Sequence, residues 1–238
     1  MDVQKLMMEE HYDVLGVEQN ETVVGYVVQS QLSVGKTTNY IHKFAPGEFI
    51  ASTTPLIEAL PLFKDRDWLF VLERTEIRSL VTKGDLQKPP VRMLLFSLIS
   101  LLEMHFLQLV RVCYPGDSFQ QHLTHHRLDK AKGHLAELRK RNLEIDLMAC
   151  LQIIDKSRLL LEVADLMEHL RLGTREEAKK FFKDIQTIRD DLSHGHDLGV
   201  GLSWKDTIHA TERIEKLLRD CESRWDEFVK RFGKKELA

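Results

Sequence analysis

Cysteine is scarce in this chain of 238 residues: Cys113, Cys150 and Cys221 are all there is. An odd and widely spaced set fits neither a disulfide framework nor a paired zinc motif, and points to a reducing cytoplasm. Basic residues are not in excess. The formal net charge is −3, so the surface as a whole offers nucleic acid no attraction, and any such contact must be local, in a cleft of its own sign. A secretory leader is missing from the start, since Met1-Asp2-Val3-Gln4 lacks the basic and apolar regions that leaders carry. An unbroken apolar run of membrane length is missing too. Met93 to Val110 comes nearest, but Glu103 and His105 interrupt it, so it reads as a buried helix and no membrane is expected. What remains is an ordinary globular balance, with 43% hydrophobic and 30% charged residues. The length implies one large or two small domains.

Two textures meet near Pro89-Pro90. Before them, Tyr12 to Val17, Val23 to Gln29, Trp68 to Leu72 and Ile77 to Thr82 have the Val, Ile, Leu and aromatic content of buried strands. Asn20-Glu21, and Glu73-Arg74-Thr75-Glu76, suit tight hairpin connections. Val3 to His11 and Thr54 to Lys64 have helical spacing and precede the two strand pairs. Helix, strand, strand thus occurs twice at a period of about 55 residues, the mark of an internal repeat. After Pro90 the pattern is helical. It predicts helices over Val91 to Tyr114, from Asp117 or Ser118 to about Asn142, over Ile145 to Leu172, over Glu176 to about Ser193, and from a Ser203 cap through Phe232. Thr174 and Glu177 form a capping box for the fourth. Long helices on short loops imply a bundle.

The second repeat closes with Ser79-Leu80-Val81-Thr82-Lys83-Gly84-Asp85-Leu86. This resembles the end of a CBS domain, an apolar strand followed by Thr-x-x-Asp-Leu at a helix start. The first repeat, Gly25-Tyr26-Val27-Val28-Gln29-Ser30-Gln31-Leu32, has Val28 and Gln31 in place of the Thr and Asp. The resemblance covers roughly residues 1–89, with the leading strand of the first repeat missing. It implies a paired domain that binds an adenine nucleotide (AMP, ADP or ATP), with Asp85 on the ribose hydroxyls and Thr82 towards the phosphates. A helix start suits an anion, though Thr and Asp so placed also cap one another. Gly35-Lys36-Thr37 mimics the tail of a P-loop, but Ser30 stands where that loop needs glycine.

The most distinctive stretch is Thr187-Ile188-Arg189-Asp190-Asp191-Leu192-Ser193-His194-Gly195-His196. Arginine offers phosphate a planar, permanently charged fork, and histidine moves protons near neutral pH. Together they suit phosphodiester cleavage without a metal. The arrangement resembles the HEPN family, small all-α domains marked by an arginine, a polar residue after it, and a histidine four to six residues on. Arg189, Asp190 and His194 match, and His196 also falls within the window. This resemblance covers about Val91 to Phe232. It implies a homodimer or higher oligomer whose two motifs share a cleft, RNA as substrate, and no cofactor for catalysis. Asp190 or Ser193 would orient the reacting groups. His194 is expected to matter more than His196, which lies beyond the glycine in looser chain. On one straight helix Arg189 and His194 are about 140° apart, so a helix break near Ser193 or Gly195 is expected to bring them together. His122, His125 and His126 are the other histidine cluster. His122 and His126, one turn apart, could hold a metal, but with no carboxylate joining them a solvated face is expected.

The sequence therefore predicts an α+β tandem CBS-like unit over residues 1–89 and an all-α, HEPN-like bundle over 90–238. Its function reads as a nucleotide-gated, metal-independent endoribonuclease of the cytoplasm, with a catalytically silent nucleotide sensor or scaffold as the alternative.

Overall fold

The computed structural model describes residues 3–33 and 35–233. It divides into two compact units between Lys88 and Pro89. The first holds α1 (Val3–Glu9), β1 (Val14–Gln19), β2 (Thr22–Val28), β3 (Phe49–Ala51), α2 (Leu56–Ala59), β4 (Trp68–Glu73) and β5 (Glu76–Thr82). A 3₁₀ turn over Leu60–Lys64 prolongs α2.

The expected hairpins form, and they are copies of one another. In the first, Val14 pairs with Val28 and Gln19 with Thr22; in the second, Trp68 pairs with Thr82 and Glu73 with Glu76, each position 54 residues later. Each hairpin also carries a register shift, at Val17/Glu18 and at Val71/Leu72, again 54 apart. A bulge is a local twist device tied to its surroundings, so its duplication is a deeper sign of repetition than strand pattern alone. The same offset makes Val28 the counterpart of Thr82 and Gln31 the counterpart of Asp85. The first turn is made by Asn20 and Glu21, with φ of 51° and 63°, the left-handed pair that matches strand twist.

The second repeat has an element the sequence pattern did not place. The short strand β3 runs parallel to β4, and the sheet order is β3-β4-β5. Tyr26, Val14, Val28 and Phe70 form one buried cluster, with Phe44, Phe49 and Trp68 packed on it, and Met7, Val27 and Leu32 form another. Gly35-Lys36-Thr37 leads only into a 3₁₀ turn over Thr37–Tyr40, not into the long helix a P-loop feeds.

The second unit is built on α3 (Pro89–Cys113), α4 (His125–Lys140), α5 (Ile153–Leu161), α6 (Leu166–His169), α7 (Arg175–His194), α8 (Trp204–Ser223) and α9 (Trp225–Phe232). The prolines opening α3 sit in the first turn, where no N–H is needed. Helix α3 packs against α5, α7 and α8. Its buried stripe of Val91, Leu95, Ile99, Leu102, Phe106 and Leu109 repeats at helical spacing. It is long and apolar enough to cross a membrane by length and composition; its buried stripe packs into the bundle, while Met93, Phe96, Leu101 and Met104 are exposed.

Three expected helices are shorter than their sequence pattern. The second begins with a 3₁₀ turn over Ser118–His122, and α4 starts only after Thr124. Ile145 to Leu172 is not one helix. The Asp146 carboxylate accepts the Ala149 N–H at 2.7 Å and pairs with Arg111 at 2.7 Å, which favours a local turn. Asp165, at φ 59°, then separates α5 from α6. The last helix breaks at Arg224, whose guanidinium donates to the His169 carbonyl.

Candidate functional site

Helix α7 carries the distinctive motif. Thr174 and Glu177 close the expected capping box, with the Glu177 N–H 3.2 Å from Thr174 Oγ1 and the Thr174 N–H 2.7 Å from Glu177 Oε2. Ala178, Phe181, Phe182, Ile185 and Ile188 are its buried stripe. Arg189 flanks that stripe and is partly exposed. Its Nε lies 3.9 Å from Glu103 Oε2 on α3, and Glu103 Oε1 accepts a 2.9 Å bond from the Lys156 ammonium of α5. Lys156 is 3% exposed, so Arg189 is the outer, partly exposed member of a Lys-Glu-Arg charge chain whose inner end is buried. Asp190 Oδ1 accepts from Gln186 at 2.7 Å and stands 3.9 Å from Arg189 Nη1.

The other end of the motif is organised by backbone. Helix α7 stays helical through His194 and ends at Gly195, whose φ of 69° a residue with a side chain adopts rarely. The expected break falls at Gly195, one residue beyond His194, and Ser193 Oγ donates back to the Arg189 carbonyl at 2.8 Å. Arg189 and His194 therefore keep their separation of about 140° around the helix. No contact joins them among the described residues. The histidines meet each other instead, with ring centroids 5.7 Å apart.

The backbone of His196 is hydrogen-bonded on both sides. Its N–H donates to the Asp191 carbonyl at 2.9 Å, closing the helix end. Arg92 of α3 donates to the carbonyls of His196 at 2.9 Å, Asp191 at 3.2 Å and Leu192 at 3.4 Å. The His196 imidazole is exposed, and its Nδ1 stands 3.6 Å from the mostly buried Asp191 carboxylate. Gly201 brings the following loop against Asp191, because a Cβ there would lie 3.1 Å from Asp191 Oδ2. At that distance the carboxylate is a charge beside the imidazole rather than a hydrogen-bond acceptor, and it attracts the protonated ring.

The helix start at Thr82 is arranged differently. Asp85 Oδ2 accepts the Thr82 N–H at 2.7 Å and the Thr82 hydroxyl at 3.0 Å, and Oδ1 pairs with Lys88 at 2.6 Å. Burial opposes its ionisation, but the bonds from Lys88 and Thr82 prevail and hold the carboxyl below its usual range. Both residues act as a capping box. His122 belongs to a 3₁₀ turn and packs edge-on against Tyr114, while His125 and His126 open α4, so they do not share a helix face. Among the described residues no group of three ligand-type side chains is placed to hold a metal ion.

Comparison of the chain with family models, curated proteins and solved structures gives no match. Sequence reasoning missed Arg92, Asp191, Glu103 and Lys156 as parts of this site. Glu103 had a signal, since a carboxylate inside an apolar helix calls for a buried partner. Arg92 had none: its role depends on a helix end about a hundred residues away.

Proposed function

We propose that the C-terminal unit is a HEPN-like ribonuclease that cuts RNA without a metal. The observation that carries this reading is the pair of exposed imidazoles at the end of α7. His196 is backed by Asp191 and clamped by Arg92, and His194 is its neighbour. His196 takes the proton of a ribose 2′-hydroxyl, and O2′ bonds to the adjacent phosphorus. The P–O5′ bond breaks, and His194 gives a proton to the leaving oxygen. The products are a 2′,3′-cyclic phosphate and a 5′-hydroxyl, and DNA is spared for want of the attacking group. Arginine stabilises charge growing on the phosphoryl oxygens. Because Arg189 and the imidazoles face different sides of α7, two copies share the cleft, the arginine of one serving the imidazoles of the other. Met93, Phe96, Leu101 and Met104 leave an exposed apolar face on α3 that supports self-association.

The alternative, a catalytically silent bundle, draws support from the Glu103 contact, since an arginine already paired has less charge to offer phosphate. Incubation of the protein with labelled RNA in EDTA separates the two. Cleavage by wild type and its loss in Arg189→Ala, with the fold intact, supports the enzyme. No cleavage by either, with or without nucleotide, supports the silent bundle.

The nucleotide-sensing role proposed for the first unit rests on its 54-residue repeat and the β3-α2-β4-β5 order, which fit the CBS resemblance. An adenine nucleotide at Thr82 and Asp85 would exchange the Lys88 ion pair for ribose hydroxyls. Calorimetry with AMP, ADP and ATP tests it, binding in wild type being lost in Asp85→Ala. Unchanged affinity in that variant would place the nucleotide elsewhere.

A further inference from the structure

Between α5 and α7 lies a cleft of about 510 Å³, within the size range of small-ligand sites. Ile154, Leu161 and Phe182 give it an apolar floor, and its rim is basic. Arg175 is already tied to the Leu161 carbonyl and the Glu162 carboxylate. Arg158, Lys179 and Lys183 have no carboxylate partner among the described residues. Lys179 and Lys183 are one turn apart, about 6 Å along the α7 axis. At the inner end stands Gln186, which donates through Nε2 to Asp190 and leaves Oε1 buried with no donor of its own. The next turn of the same helix carries Arg189. The cleft thus leads along α7 to the arginine of the proposed site.

We infer that this cleft holds a nucleotide of a single RNA strand, next to the phosphate that is cut. The inference rests on the ribonuclease reading of α7 and names how its substrate is held. A nucleotide combines the chemistries the cleft offers. Its base has an apolar face for the Phe182, Leu161 and Ile154 floor, while its phosphates suit Arg158, Lys179 and Lys183. The chain carries a net charge of −3, so a rim of three unpaired cations sets this cleft apart from the surface as a whole, where nucleic acid finds no general attraction.

The test is fluorescence anisotropy of the full chain with a short, non-cleavable 2′-fluoro single-stranded RNA in EDTA. Lys179→Ala/Lys183→Ala weakens binding at least tenfold and lowers the salt slope by about 1.4, roughly 0.7 for each phosphate no longer neutralised. Lys179→Arg/Lys183→Arg keeps wild-type binding. Lys130→Ala/Lys132→Ala, exposed on α4, changes binding little. All three melt as wild type, since the side chains are exposed. The inference is overturned if wild type binds no RNA, if both alanine pairs weaken binding equally, or if polyglutamate displaces the RNA as well as unlabelled RNA does. If RNA binds as described but an unmodified strand survives in EDTA, the cleft stands as an RNA site and the cleavage reading falls alone.

Discussion

The two motifs singled out in this sequence both lie at helix ends, yet their side chains do opposite work. At the start that succeeds β5, the Asp85 carboxylate satisfies the local backbone by accepting the Thr82 N–H, the Thr82 hydroxyl donates to the same oxygen, and Lys88 pairs with the other. At the end of α7, Gly195 and Arg92 satisfy the backbone instead, which leaves the His194 and His196 rings free of that task. A polar residue at a helix terminus is open to chemistry only when something else does the capping. By that criterion the α7 end is the open site, and the Thr82 start is closed until a ligand displaces Lys88.

Several substitutions sharpen or break this contrast. The largest effects on cleavage belong to Arg189→Ala and His196→Ala. Each is expected to slow RNA cleavage by about two orders of magnitude or more, the scale of a lost phosphate-stabilising charge or acid–base group. Single-turnover kinetics on folded variants checks this. A His196→Ala enzyme cutting at wild-type rate while His194→Ala is dead would return the leading role to His194.

On stability, Glu103→Ala should have the largest effect. It strands the buried Lys156 ammonium, and loss of one partner of a buried pair costs about 3–5 kcal/mol. Urea denaturation measures it, and the paired change Glu103→Leu/Lys156→Met should recover much of the loss. Arg92→Ala removes three hydrogen bonds to carbonyls at the end of α7 and should cost about 1–3 kcal/mol, with roughly tenfold slower cleavage. Asp85→Ala removes a cap and a surface ion pair with Lys88 and should cost about 1 kcal/mol of the first unit's stability. Destabilisation by Arg92→Ala smaller than that by Asp85→Ala would reverse the contrast.

The smallest effect is a pH dependence. Burial, with the Arg224 guanidinium beside it, holds the His169 imidazole below its ordinary value of 6.5. The unfolded chain then binds the proton more readily, so stability is full above pH 6.5 and declines as pH falls below it, until the folded imidazole is itself protonated. Denaturation at pH 7.5 and 5.5 should show the decline, and His169→Gln should flatten it.

Much of the fold could be read from the chain. The hairpins, the repeat, the Thr174–Glu177 box and the central helix α3 all rest on local pattern, which sequence displays directly. Strand β3 escaped because three residues are too few for a periodicity. The breaks at Asp165 and Arg224 escaped because apolar spacing continues across them, while an aspartate in left-handed conformation and a long-range arginine contact decide the geometry. The motif residues of the site were legible, but their environment was not. Asp191 read as one more charge beside Asp190, and only the folded chain places its carboxylate behind His196. The contact of Arg92 with the His196 carbonyl was hidden for the same reason, since it comes from another helix.

The central claim is that the open end of α7 cleaves RNA through the ribose 2′-hydroxyl. The most direct measurement is incubation of the protein in EDTA with an end-labelled RNA and with the same strand carrying 2′-deoxyribose throughout, and then identification of the product ends. The account predicts that the RNA alone is cut, leaving a 2′,3′-cyclic phosphate and a 5′-hydroxyl. Equal cleavage of the deoxy strand, or an RNA left intact by folded wild-type protein with and without adenine nucleotide, would contradict it.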